Sequence, residues 1–566
     1  MMPKLNATIL FMRPLHNPSI RHSGLDPESR KYLKILDSGL CRNDKMAGLM
    51  PLCKGFLISL IILILIVIAQ SGIAADGDLE GRVRKHTLAN GIRVLLLERP
   101  LSPTVSLYIR QRAGAVDEVG GKSGTAHMLE HMMFKGTRTI GTRNYKKEHE
   151  ILKNIERTGR QLDLERRKAD GADTHTLEAL KAKLQALQEE HKKWMIPNEL
   201  DRIYTENGAE SMNAGTGQDL TTYYVSLPSN KIELWARIES DRLQNPVFRE
   251  FYTERDVVME ERRQRIETNP GGKLAEQFFA AAFQAHPYGN PILGWPSDVR
   301  FLGMDDVSSF FRTSTAPHHT VIAVVGAIET QETLALIRKY FGKIPARKLD
   351  SPFITEEPPQ SGERRVEVIF DAKPQFMIGY HKPPPPHSDD YTLDVLEAVL
   401  SGGRTSRFYR TMVEGLKIAE SVETANGMPG ARFSNLFMIY ATPRHPHECR
   451  ELERAIDAEI EKIKREPVPE QELQKVKNQM KADFIRRLNS NSALASMLSY
   501  YEVLLGDYRY LTNYIGRIDK ITAAMITEAA HKYLNRENRT VATLVSKGAP
   551  AAKTAEAVER SSQYEK

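Results

Sequence analysis

Cysteine is nearly missing from this chain. Three occur in 566 residues, and two of them, Cys41 and Cys53, precede the first recognisable structural pattern, leaving Cys449 alone beyond it. That part of the chain can form no internal disulfide and offers no cysteine pair to a metal. Any metal site must therefore be built from histidine and carboxylate. A basic stripe is also lacking: the net charge of +7 comes from 79 Lys and Arg against 72 Asp and Glu, dispersed in mixed-sign stretches. Such stretches read as solvated helix faces and exclude a nucleic-acid-binding surface. Long apolar runs are scarce too. The clear one, Phe56 to Ala69, is interrupted only by Ser59, follows Lys54, and leads to Gly72 and Ala74. It reads as a secretory signal over residues 54–75, cleaved near Ala74 or Ala75. Extended to Ala75 and left uncleaved, it would instead be an anchor. The expectation is export to the periplasm, with inner-membrane anchoring facing the periplasm as the alternative. Any membrane contact runs through this segment. Residues 1–53 show no periodicity and read as a leader, with translation expected to start at Met46 or Met50.

What is present is an ordinary globular composition, 41% hydrophobic and 27% charged, enough for a sizeable core. The length exceeds one domain. The stretch that organises the chain is Ser123 to Phe134, SGTAHMLEHMMF. As a helix it places His127, Glu130 and His131 in one arc, with Ala126, Leu129, Met132 and Met133 roughly opposite. The i, i+4 spacing lets two imidazoles converge on one ion, and Glu130 points into the same space without having to ligate. It could take a proton from a water that the metal acidifies. Two histidines four apart are more often surface or core residues than ligands. The apolar back face and the small residues Gly124, Thr125 and Ala126 favour the metal reading here. The letter order is that of an inverted zincin.

The stretch resembles the pitrilysin/insulinase (M16) family of zinc metallopeptidases, in its bacterial processing-peptidase-like branch. Asn207 to Tyr224, Glu254 to Glu261 and His286 to Gly294 resemble segments of that family in its usual order. The resemblance runs from about Arg82 to about Ser546. It implies an α+β fold of two tandem homologous α/β-roll domains. It also implies a zinc endopeptidase holding one Zn2+ per chain on His127, His131 and Glu261. Glu130 would be the general base and Glu254 a carboxylate supporting the ligands. On composition alone, the glutamates of a charged helix would be solvated; only the resemblance selects Glu254 and Glu261. The strand around Met212, Asn213 and Ala214 resembles the family's substrate strand. It would pair with an extended peptide or unfolded polypeptide through Asn213 and Ala214.

Alternating β-branched stretches start at Val83, and Asn90-Gly91 reads as a hairpin turn. The zinc-bearing domain is expected over residues 82–345. Within it, Leu152, Ile155 and Leu162, then Leu177, Leu180, Leu184 and Leu187 beyond Gly171, predict an antiparallel helical hairpin inserted over about 146–195. It reads as a solvated decoration, with a partner- or substrate-contact role as the alternative. A Pro-containing linker over 346–362 precedes a second, metal-less domain over 363–546, and 547–566 reads as a disordered tail.

One departure stands out. Active members of the family place an Arg and a Tyr, seven residues apart, after a Ser-Arg-aromatic segment of the second domain. Aligned without a gap from Ser406-Arg407-Phe408, those positions hold Val413 and Glu420. Neither donates to an oxyanion. The expectation is a peptidase completed by a related zinc-less partner subunit that supplies the pair, or one that works as a dimer. The alternatives are a non-catalytic structural or assembly subunit of the same fold, and a self-sufficient peptidase.

Overall fold

The computed structural model describes residues 79–347 and 353–546. The expected leader, signal segment and tail lie outside these residues, as does part of the expected linker. No described helix is long and apolar enough to cross a membrane.

In the first half, strands β1 (Arg84–Thr87), β2 (Arg93–Glu98) and β3 (Thr104–Gln111) lead to the short helix α1 (Thr125–Met132). Two long helices follow, α2 (Tyr145–Arg166) and α3 (Thr174–Lys192), then strands β4 (Glu210–Thr216) and β5 (Thr221–Pro228). Helices α4 (Phe251–Arg262) and α5 (Pro270–Ala282) precede strand β6 (Thr320–Gly326). The sheet order is β1-β2-β6-β3-β5-β4. Every residue of β6 is buried, which suits an unbroken apolar strand at the centre of a covered sheet. At the opposite extreme β4 is the edge, with no strand beyond it and every residue at least partly exposed.

The second half repeats this plan. Strands β7 (Arg364–Ile369) and β8 (Gln375–Lys382) lead to helix α6 (Ser388–Ser401). Then come β9 (Ala419–Met428), β10 (Asn435–Pro443), a run of helices that includes α7 (Asn491–Leu505), and finally β11 (Arg539–Val545). Its order, β7-β11-β8-β10-β9, matches β2-β6-β3-β5-β4 strand for strand. The single parallel pair falls at the same place in both, β2 with β6 and β7 with β11. The fold is thus α+β, two homologous halves in tandem.

The halves exchange helices. Helix α5 of the first packs on β7, β8 and β11 of the second, and α7 of the second packs on β3 and β6 of the first. The α5 exchange builds a core of its own, with Leu274 and Phe278 against Val368, Met377, Leu436, Met438 and Leu544. The α7 exchange is more polar: Arg110 donates to the Ser496 carbonyl at 3.0 Å and Arg93 to that of Glu502 at 2.8 Å.

The helical pair corrects the expectation of a solvated decoration. Asp173 caps α3 by accepting from the Thr176 amide at 3.0 Å, so the hairpin forms where the breaker residues predict it. Yet Ile151, Leu152, Ile155 and Leu162 of α2 belong to the core of the first half. Gly159 does not end α2. It lies against the Tyr252 ring, where an added Cβ would stand 2.1 Å from Cζ, so helices α2 and α4 touch at a position that only glycine fits. Buried Glu148 of α2 meets His191 of α3 at 2.8 Å and Arg249 at 2.7 Å, immediately before α4. The pair is thus built into the wall behind the site.

Candidate metal centre

Helix α1 is held at its start by an unusual cap. Glu118 lies six residues before Gly124, and its two carboxylate oxygens accept from the amides of Gly124 at 3.0 Å and Ala126 at 2.7 Å. Burial pushes the Glu118 carboxyl up to about 8, against the pull of those two amides. Gly124 adopts φ +89°, and an added Cβ would meet Val299 at 2.9 Å and the Gly294 backbone at 3.1 Å. A segment some 170 residues downstream thereby fixes the entry to α1, which explains why His286 to Gly294 matters to the site. Ala126, Met128, Leu129 and Met132 then bury the back of the helix.

The front carries the chemistry. Glu261 Oε2, from the last turn of α4, lies 3.6 Å from His127 Nε2 and 3.3 Å from His131 Nε2. These three donor atoms all fall within 4.8 Å of one another, the one such group of His, Cys, Asp and Glu among the described residues. Two turns earlier on α4, Glu254 Oε1 lies 3.3 Å from the other nitrogen of His131, Nδ1. The spacing of seven residues turns both carboxylates to one face. Beyond Glu261 the helix widens into a π-helical turn, Arg263–Glu267. From that turn Arg265 Nη2 approaches Glu261 Oε1 at 2.9 Å.

Burial and mutual contact shift the groups of the site in different directions. Burial, with repulsion from His131, pushes His127 down to about 3, so it is neutral and ready to ligate. Burial works against a proton on His131 as well. There the hydrogen bonds with Glu254 and Glu261 and the charge of Glu130 win, and lift it to about 9. For Glu261 burial opposes ionisation, but His131, His127 and Arg265 hold it down to about 2. Glu130 is raised by burial, while Thr216 at the end of β4 donates to its Oε2 at 2.6 Å and favours the carboxylate. Two imidazole nitrogens and one carboxylate oxygen, with a second carboxylate on the far side of one ring, form a donor set that fits zinc.

The strand reading places Asn213 and Ala214 on the open edge β4, opposite Tyr224 and Tyr223 of β5. The Ala214 amide is engaged by its neighbour, donating to Asn213 Oδ1 at 2.8 Å. Val413 lies in a π-helical turn and packs against the core of the second half. Glu420 is ion-paired with the exposed Lys373 at 3.0 Å. Sequence reasoning missed Thr216, Lys135, Arg265 and Glu118. Lys135 spans Glu250 at 3.1 Å and Glu254 at 2.5 Å, and only its place one turn after His131 hinted at a role.

Two family profiles match. Residues 93–164 and 188–295 match Insulinase (Peptidase family M16), and residues 302–480 match the Peptidase M16 inactive domain. The chain belongs to peptidase family M16. The break between residues 164 and 188 falls on the end of α2 and most of α3. Zinc protease PqqE of Helicobacter pylori is 26% identical over 81% of this chain and 91% of its own length. An Arabidopsis thaliana protein named probable mitochondrial-processing peptidase subunit beta is 24% identical over 80% of this chain and 76% of its own. Among solved structures, a protease from Helicobacter pylori superposes with a TM-score of 0.69 at 25% identity, covering 82% of this chain and 99% of that one.

Proposed function

We propose that this M16 chain is an exported zinc endopeptidase that cleaves peptides or unfolded polypeptides. The observation that carries the reading is the convergence of His127 Nε2, His131 Nε2 and Glu261 Oε2 beside a partly buried Glu130. His127, His131 and Glu261 would hold one zinc ion, and a zinc held there would supply Lewis-acid polarisation of the scissile carbonyl and a water acidic enough to attack near neutral pH. Glu254 fixes the His131 ring through Nδ1, and Lys135 holds Glu254 in turn. Glu130, steadied by Thr216, takes the proton from the attacking water and delivers it to the leaving amine. The substrate adds as a further strand on β4, and Asn213 swings away from the Ala214 amide to let the peptide backbone pair there. Export rests on the signal-like segment before Asp76 and agrees with a structural neighbour titled the periplasmic protease PqqL of Escherichia coli.

The second half contributes no Arg/Tyr pair at Val413 and Glu420, so a related zinc-less chain supplies it. A relative named as a subunit is consistent with such pairing. Loss of one oxyanion donor typically costs about 10²–10³ in turnover. Turnover of one quenched peptide should therefore be low for the chain alone and should rise on that scale with the partner, at unchanged zinc content. Val413→Arg with Glu420→Tyr should raise it in part. Robust turnover by the single chain, unaltered by any related chain, would overturn the partner reading and leave the zinc reading standing.

A further inference from the structure

The zinc-bearing helix is wired to the second half of the chain. Between β9 and β10 a short loop carries Arg432, whose guanidinium is largely buried and grips Asp117 with both arms, at 2.8 and 2.9 Å. The loop backbone is seated as well. The amides of Ala431 and Arg432 donate to Asp219 Oδ2 at 2.5 and 3.2 Å, and Tyr288 Oη donates to Asp219 Oδ1 at 2.5 Å. Gly430 has no room for a side chain, since a Cβ would stand 2.5 Å from Tyr288 Oη. Asp117 also accepts from the Gly114 amide at 3.0 Å, which fixes the turn in which it lies. The next residue is Glu118, whose carboxylate holds the amides of Gly124 and Ala126 at the start of α1. His127 follows Ala126 directly.

We infer that Arg432 is a positioning residue for the zinc helix, acting through Asp117 and Glu118, so that seating of the second half sets the placement of His127 and Glu130. The physical reason is economy of freedom. The cap of α1 is a side chain six residues away, just past the short 3-10 turn Ala115–Asp117. The amides of Ala115 and Val116 tie the start of that turn to the Gly217 and Gln218 carbonyls at 3.1 and 2.9 Å, and its end, Asp117 beside the cap, takes its side-chain anchor from Arg432. A bidentate Arg–carboxylate contact gives that anchor both direction and strength. The two halves of one chain are thus coupled at a defined point, and loosening them relaxes the helix that carries two of the three zinc donors. The consequence for catalysis rests on the zinc-peptidase reading; the structural coupling does not.

The test uses the purified full chain as wild type, Arg432→Ala and Arg432→Lys. Amide hydrogen exchange of the metal-free protein is followed for the peptide spanning residues 124–132, with strand β6 as internal reference. Exchange in α1 should quicken about tenfold in Arg432→Ala and less in Arg432→Lys, since lysine keeps the charge without the two-armed grip. β6 should be unchanged. Zinc affinity, by chelator competition, should weaken about tenfold, and kcat should fall about tenfold with KM within about twofold. Wild-type exchange in α1 of the folded variants overturns the inference, whatever else they lose. Should Arg432→Ala not fold, Arg432→Lys decides by the same measurement. A wild-type protein that binds no zinc would sink the functional reading, while quickened exchange in α1 would still uphold the coupling.

Discussion

Glu254 Oε1 lies 3.3 Å from Nδ1 of His131, while its other oxygen holds Lys135 Nζ at 2.5 Å. A carboxylate so placed fixes the ring with Nε2 facing Glu261 and raises its basicity. Glu254→Ala should accordingly weaken zinc affinity by about 10–100-fold without changing the ligand count. Chelator competition measures it, and an affinity equal to wild type would refute the assignment.

Thr216 has a different task, since its hydroxyl meets Glu130 and no proposed ligand. Thr216→Val should keep zinc at about one per chain and lower kcat by about tenfold, because the base loses the contact that orients it. Metal content and turnover of the same preparation separate the two effects. Loss of zinc in this variant would place Thr216 in the metal site instead.

Helix α2 bears on the site through Gly159. With Tyr252 Cζ only 2.1 Å from an added Cβ, Gly159→Ala must shift the buried Tyr252 ring or the helix α4 that bears it together with Glu254 and Glu261. Overpacking of this kind costs about 1–3 kcal/mol. Urea unfolding should show that loss, accompanied by weaker zinc binding. A neutral substitution would mean that α2 and α4 are less tightly packed than described.

The pH dependence of stability has an identifiable contributor in His286. Burial pushes it down to about 4, with Glu357 acting to raise it and Arg432 to lower it. Its ring lies among Phe283, Tyr288 and Phe433, and Nδ1 accepts from the Tyr288 amide at 3.1 Å. Between the unfolded value of about 6.5 and the folded one, the unfolded chain binds a proton that the folded chain refuses. Stability therefore falls as pH drops through that window. The urea midpoint of His286→Gln should fall less steeply than that of wild type from pH 6.5 to 4.5. Parallel curves would show that another group carries the effect.

What was legible in the sequence follows from distance along the chain. His127, Glu130 and His131 sit on one short helix, so spacing alone brings them together. Glu261 comes from a helix some 130 residues later, and nothing local distinguishes it from Glu260, which pairs with Arg263 on the solvent side. Thr216 and Glu118 were illegible because their contacts depend on where a strand ends and how a turn folds. The pair α2 and α3 was read correctly as helices and wrongly as decoration. Heptad-like leucines specify a partner helix, and they do not reveal that the same face also enters a core. Gly159, which falls between Ile155 and Leu162 in that spacing, marks the contact with Tyr252. The repeat of the two halves was legible as an order of elements. The exchange of α5 and α7 was not, since an amphipathic helix does not declare which sheet it covers.

The account stands on three donors and one base, and metal analysis of purified variants tests that most directly. Wild type and Glu130→Gln should each carry about one zinc per chain, with Glu130→Gln losing most turnover, because it removes a base and no ligand. His131→Ala should carry none. Full zinc occupancy in His131→Ala would contradict the account.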